Sequence, residues 1–153
     1  MQLRLIGVGK IRESYVREAC EDFRKRMQPY YSLEEIEVKA ADGGSPQQAM
    51  RTEAQRILKL LAPDDRVWLL DRAGLQRSSI ALSRQLDEVA RSGASRLTIL
   101  VAGTYGADPS LVARASFLWS LSELTLLHEW ARMLVLEQLY RAAKIARNEP
   151  YHH

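Results

Sequence analysis

Apolar positions along the chain follow two alternating rhythms. Short aliphatic or aromatic runs occur at Leu3–Val8, Leu33–Val38, Arg66–Leu70, Arg96–Val101 and Phe117–Ser120, and they predict strands. Arg96–Val101 (RLTILV) has the unbroken character of a strand buried on both faces. Leu33–Val38 (LEEIEV) alternates and predicts a half-buried strand with Leu33, Ile36 and Val38 as its apolar members. Between these runs the spacing turns helical. In Glu13–Met27, Tyr15, Ala19 and Phe23 recur every four residues with Arg and Glu between them. Gln47–Leu61 predicts a second helix, and Ser78 or Ser79 caps a third that runs to Ser92. Asp108-Pro109 starts a short fourth, with Asp108 as N-cap and Pro109 at the first helical position. His128 to about Arg147 forms the last and longest. Strands that alternate with helices predict one α/β domain over residues 1–153, a parallel-type sheet with helices on both faces.

Two strand ends carry loops of small or apolar residues. Arg96–Val101 stops at Ala102-Gly103-Thr104-Tyr105-Gly106, whose glycines let backbone turn sharply and approach a ligand. The strand at Phe117 is followed by Ser122–Leu127. Open α/β sheets bind ligands outside the carboxyl ends of their strands, so these loops predict a small-molecule site. In the last helix Met133-Leu134-Val135-Leu136 is apolar around the whole circumference. That pattern fits a central core helix and equally a helix buried against a second copy of the chain.

Composition excludes more than it selects. Hydrophobic residues make up 46% and charged residues 27%, enough apolar material for a core. The net charge of +3 permits a nucleic-acid partner without demonstrating one. Cys20 is the single cysteine, which rules out a disulfide within the chain and a thiolate metal site, and a cytoplasmic address follows most simply. The start MQLRLIGVGK is charged too early for a signal peptide, and no stretch approaches a membrane span.

Motif chemistry is sparse. The glycine loop lacks the third glycine of a dinucleotide fingerprint, and the paired glycines of Asp42–Pro46 lack a P-loop lysine. No metal-binding spacing appears. Glu137 and Arg141 stand at i and i+4, the spacing of a helix ion pair. Arg132, Arg141, Lys144 and Arg147 make the last helix basic, and Tyr151 with His152 and His153 follow it. Cations beside an aromatic ring suit RNA, and a solvated helix face accounts for the same residues equally well.

Trp119 to Leu126 (WSLSELTL), then His128, Arg132, Glu137 to Ala142 (EQLYRA) and Glu149 to His152 (EPYH) resemble the SPOUT-class ribosomal large-subunit RNA methyltransferase H family over essentially the whole chain. The resemblance implies a C-terminal deep trefoil knot, a homodimer, and transfer of a methyl group from S-adenosyl-L-methionine to N3 of a pseudouridine in 23S rRNA of the ribosome. It implies that Leu70, Gly103, Ser122, Glu123, Leu124, Thr125, Leu126 and Leu127 bind the cofactor, and that Tyr151-His152 belongs to the native tail. No metal and no membrane enter. The chain departs from the family at Ala102, where a glycine is usual, at Thr104-Tyr105, and at Leu127, often a proline. Those departures motivate an alternative, a non-catalytic RNA-binding or ribosome-assembly factor with a degenerate cofactor site. A Rossmann-type nucleotide enzyme is a weaker one.

For the chemistry, His152 is the expected proton acceptor, because imidazole titrates near neutrality. Arg141 would stabilise the developing anion, Tyr151 would orient the base, and His128 is the alternative base. The tail is expected to be flexible and unpacked. Gly103→Val is expected to block the cofactor, and Leu136→Glu to break the dimer.

Overall fold

The computed structural model describes all 153 residues. The elements follow in the order β1 (Gln2–Val8), α1 (Ser14–Met27), β2 (Leu33–Val38), α2 (Pro46–Leu58), β3 (Arg66–Leu75), α3 (Ser79–Arg91), β4 (Arg96–Val101), α4 (Pro109–Arg114), β5 (Phe117–Trp119) and α5 (His128–Ala146). Local sequence explains most of the boundaries. Ser45 and Gln48 close a reciprocal capping box on α2, Ser78 caps α3, and Asp108 caps α4 ahead of Pro109.

All five strands are parallel, in the order β2-β1-β4-β3-β5. Successive residues of a strand face opposite sides, and the sheet divides its core accordingly. Leu3, Leu5, Leu97, Ile99 and Trp68 join α1, α3 and α5 in a cluster of 19 buried residues. Ile6, Val8, Leu100, Val67 and Leu69 join α2 and α4 in a smaller cluster of 9. Helices therefore cover both faces, and α5, lying against both α1 and α3, is the centre of the larger half. No helix is long and apolar enough to cross a membrane.

Three details differ from the sequence pattern. The buried stripe of α1 is Val16, Cys20 and Met27, and Tyr15 is exposed, so the inward face is rotated by one residue from Tyr15-Ala19-Phe23. In α5, Val135 and Leu136 are fully buried in the chain's own core, and only Met133 and Leu134 remain half-buried. Leu136→Glu would thus unfold the protomer, and it cannot report on a dimer. Third, β3 does not end at Leu70. Leu70 and Leu75 both pair with Trp119, and Asp71–Gly74 bulge out between them. A Cβ on Gly74 would lie 2.5 Å from the carbonyl oxygen of Leu118, so only glycine allows the bulge to cross β5 so closely.

Candidate functional site

The bulge of β3 is one wall of a cavity of about 430 Å³ at the carboxyl ends of β3, β4 and β5. The loop after β4, from Ala102 to Ala107, is a second wall, and the loop after β5 together with the first turn of α5 is a third. Each wall is shaped by backbone. Gly106 N donates to Gly103 O at 3.0 Å and closes the first loop into a tight turn, with Gly106 at φ 89°. Ser122 Oγ accepts from Leu124 N at 3.0 Å and sets the second. Arg72 Nη1 donates to Thr125 Oγ1 at 2.5 Å and ties the bulge to that second loop. Trp68 meets Phe117 and Trp119 edge-on at 5.3 and 6.2 Å and fixes the floor. The volume lies within the range of small-molecule sites, and the lining is mainly apolar, with Asp71, Arg72, Tyr105 and His128 as its charged or titratable members.

Leu70, Gly103, Ser122, Leu124, Thr125 and Leu126 line this cavity, and Glu123 and Leu127 do not. Gly103 acts differently from expectation. A Cβ there would lie 2.8 Å from Oε1 of buried Glu53 and 3.1 Å from Val8, pointing toward α2. A valine would first displace Glu53, which accepts from Ala41 N, and would not enter the cavity directly. Ala102 is accommodated, since Asn148 is the only non-glycine residue with positive φ. Asp71, Arg72 and Ala73 also line the cavity and were not expected there, and Trp119, which opens the resemblance motif, lines it without having been expected to bind the cofactor. Asp71-Arg72-Ala73-Gly74 looks like an ordinary turn, and only the pairing of both Leu70 and Leu75 with Trp119 makes it a wall.

α5 begins at this cavity with Leu127 as N-cap and no side-chain cap. Its first amides are free, and the positive end of the helix dipole favours negative charge there. His128, in that first turn, lines the cavity.

Arg141, Tyr151 and His152 lie elsewhere. Arg141 is thirteen residues beyond His128 on one helix, a rise of about 20 Å. There Glu137 is a hub. Its Oε1 accepts from Arg141 Nε at 3.0 Å, Arg141 Nη2 at 2.6 Å and Tyr151 Oη at 3.1 Å, and Oε2 accepts from Gln138 at 2.6 Å. The Arg141 guanidinium stacks 4.7 Å from the Tyr151 ring centre, and its Nη1 lies 3.4 Å from His152 Nδ1. The tail is packed, contrary to expectation. Tyr151 meets Tyr140 edge-on at 4.7 Å and joins the main core, because Asn148 at φ 53° turns the chain back. Glu149 accepts from Tyr30 Oη at 2.5 Å and Lys144 Nζ at 2.7 Å. Those bonds, that of Lys144 foremost, hold its carboxyl below the usual glutamate range. Burial, with Glu137 adding to it, pushes the Tyr151 phenol up.

Fold and cavity thus define a parallel α/β protein with a cavity of small-molecule size at the carboxyl edge of its sheet. The family described as "Predicted SPOUT methyltransferase" matches residues 1–152, and the chain belongs to it. Proteins named "Ribosomal RNA large subunit methyltransferase H" are similar along their whole length. That of Acetivibrio thermocellus is 40% identical, with 99% of each chain covered, and that of Exiguobacterium sibiricum is 38% identical with the same coverage. That of Pelobacter propionicus is 37% identical with 100% of each covered. The fold is also that of a solved "Probable Methyltransferase" from Bordetella pertussis, at TM-score 0.61 and 14% identity, covering 93% of this chain and 96% of that one.

Proposed function

We propose that the protein is a ribosomal RNA methyltransferase that transfers a methyl group from S-adenosyl-L-methionine to N3 of a pseudouridine in 23S rRNA of the ribosome, in the cytoplasm. The observation that carries this is the full-length likeness to proteins of that name, which includes both the cavity loops and the tail. The mainly apolar, backbone-framed cavity suits the cofactor, which Leu70, Gly103, Ser122, Leu124, Thr125 and Leu126 would surround, and the free α5 amides would suit its carboxylate. When bound, the cofactor supplies an activated methyl group. The degenerate-site alternative loses part of its motivation, because Ala102 is not at positive φ.

The remaining chemistry belongs to the tail. Arg141 Nη1 lies 3.4 Å from His152 Nδ1, and that contact keeps the ring beside the guanidinium. N3–H of the pseudouridine would give its proton to a free ring nitrogen of neutral His152, N3 would take the methyl group as S-adenosylhomocysteine leaves, and the Arg141 guanidinium beside the ring would steady the anion as it forms. Tyr151, held by Glu137, orients the base.

A cavity and a tail about 20 Å apart do not make one active site in a single protomer. We therefore propose that the tail of one protomer serves the cavity of its partner in a homodimer. Leu124, Leu127 and Trp130 are exposed by 71, 63 and 41%, and Leu127, Trp130 and half-buried Leu134 share one side of α5 beside the cavity mouth. That stripe is the proposed interface. The trefoil threading is part of the same proposal. It is supported by a chain that runs from central β4 to edge strand β5 and then returns α5 between α1 and α3.

The test is complementation. A chain lacking Tyr151–His153 and a chain with the cavity disrupted should each be inactive on ribosomes. Mixed after dissociation and reassociation, they should regain about a quarter of wild-type methylation, since half of the dimers then hold one intact composite site. No recovery in verified heterodimers would defeat the shared site. Failure of the wild type to methylate ribosomal RNA would defeat the whole assignment.

A further inference from the structure

One helical turn past His128, α5 presents Arg132 to a second cavity of about 330 Å³, at the carboxyl ends of β1 and β2 and under the first turns of α1. Its walls are charged where those of the first are apolar. Four cations line it: Lys10, Arg17, Arg24 and Arg132. Of its three carboxylates, Glu35 is paired with Arg24, and Glu37 accepts from Arg132 Nη2 at 3.0 Å and Ile11 N at 3.3 Å. Glu21 has no cation partner. Lys10 and Arg17 have no carboxylate partner either, and Arg17 Nη2 donates only to the backbone carbonyls of Ile11 and Arg12, at 3.0 and 3.4 Å.

Arg132 is the unusual member. Only 4% of it is exposed, and its Nε is buried with no hydrogen-bond partner. Its side chain lies across Gly7 of β1, where a Cβ would come within 2.8 Å of Nε and Cδ, so glycine at this strand position leaves room for a buried cation. Nη1 donates to Gly9 O at 3.0 Å, at the turn that leads into α1. Held by Gly9 O and Glu37, this guanidinium keeps a positive charge at the back of the cavity.

The start of α1 adds to the excess of positive charge. Its N-cap Glu13 makes no side-chain cap, its first turn holds no acid, and Arg17 sits in that turn. Three cations, Lys10, Arg12 and Arg17, thus stand at the positive end of the helix dipole, beside Glu37 and Glu129, which accept from Ile11 N and Arg12 N. The arginine and lysine side chains that line the cavity match the oxygens of a phosphate. Cys20 in the same wall is no nucleophile, since burial pushes its thiol up to about 11.

We propose that this cavity is a phosphate-binding subsite that takes a backbone phosphodiester of the RNA while the target base reaches the neighbouring methyl-transfer cavity. The inference rests on the RNA methyltransferase assignment above. The two cavities share α5, and Glu129 in its first turn accepts from Arg12 N, so the α1 loop and the start of α5 are held together. RNA anchored at one is thereby registered against the other.

The experiment compares the full-length protein with a Lys10→Gln, Arg17→Gln double variant. Both side chains are exposed on a loop and a helix face, so the fold is retained. Binding of an RNA hairpin containing the target pseudouridine is measured over a range of salt, and inorganic phosphate is titrated as a competitor. The variant should bind the RNA on the order of ten-fold more weakly, with the slope of log K against log salt reduced by about 1.4 for two lost contacts. S-adenosylmethionine binding, followed by calorimetry, should be unchanged. Phosphate that binds the wild type but not the variant, with RNA affinity equal in both, assigns the same site to a free anion. Equal RNA affinity, equal slope and no difference toward phosphate overturn the proposal. Wild-type protein that binds this RNA with the expected salt slope but never methylates ribosomes overturns the enzymatic assignment and leaves the subsite standing.

Discussion

The two ends of α5 solve opposite problems. At its start, Leu127 offers no cap, the first amides have no side-chain partner, and the surrounding walls are apolar residues and loop backbone. At its end, nearly every polar group is engaged. Glu137 holds Arg141, Gln138 and Tyr151, and Glu149 holds Lys144 and Tyr30. Free backbone groups beside a cavity suit a ligand that supplies its own polar atoms. Interlocked side chains suit residues whose own positions must be exact when the substrate arrives. One end is built to receive and the other to present, and a single helix keeps them about 20 Å apart.

The sharpest way to break this division is to remove what is presented. Deletion of Tyr151–His153 should reduce methylation of ribosomes by at least about a thousand-fold, the scale expected when general-base and electrostatic groups are lost together. Calorimetry should show S-adenosylmethionine binding retained, because no tail residue lines the cavity. Loss of cofactor binding in the deletion would mean that the two ends are not separate.

Next in size is the interface that would join them. Trp130→Glu places a carboxylate on the exposed stripe, where burial in a dimer would strip its hydration. Sedimentation should show a monomer with an unchanged thermal transition, and methylation should fall with it. Leu136→Glu offers the contrast. That side chain is 0% exposed within the protomer, so the variant should lose its fold. A folded Leu136→Glu protein would contradict the packing of α5.

Sequence made one of these ends far more legible than the other. Asp108-Pro109, the strand runs and the glycine loop marked the sheet and its carboxyl edge, because caps, periodicity and turn residues are local. The Glu137–Arg141 pair was legible for the same reason. Beyond reach was everything that depends on distant pairing. Asp71–Gly74 became a cavity wall only through the double pairing with Trp119. The tail became packed only through Tyr30 and Tyr140, which are far from it in sequence. Leu136 could not be told from an interface residue, since apolar character does not say which surface covers it. The direction of Gly103 was invisible until Glu53 stood beside it.

Gly74 tests the receiving end directly. Gly74→Ala puts a methyl against the backbone of Leu118, which cannot give way without disturbing β5. The bulge should shift outward and carry Asp71 and Arg72 with it. A fall in cofactor affinity on the order of ten-fold, or about 1.4 kcal/mol, is expected. The tail contacts, read by the environment of Tyr151, should be undisturbed.

The smallest effect concerns how the presenting end is held, and it appears in acid. Lys144 first, and Tyr30 second, keep the Glu149 carboxyl below its ordinary value. A carboxyl depressed in the folded state stabilises its contacts fully above its unfolded value, and that contribution is lost as pH falls through the lower, folded value. The clasp on the tail should therefore be complete at neutrality and open only on acidification below the usual glutamate range. Tyr30→Phe removes one of the two bonds that favour the ionised form, so opening should begin at a higher pH in the variant. Hydrogen exchange at the amides of Asn148 to His152, followed as pH is lowered, reads this without relying on activity. An opening that occurs at the same pH in both proteins would show that Lys144 alone holds Glu149, and that Tyr30 serves only as a ring against Tyr140.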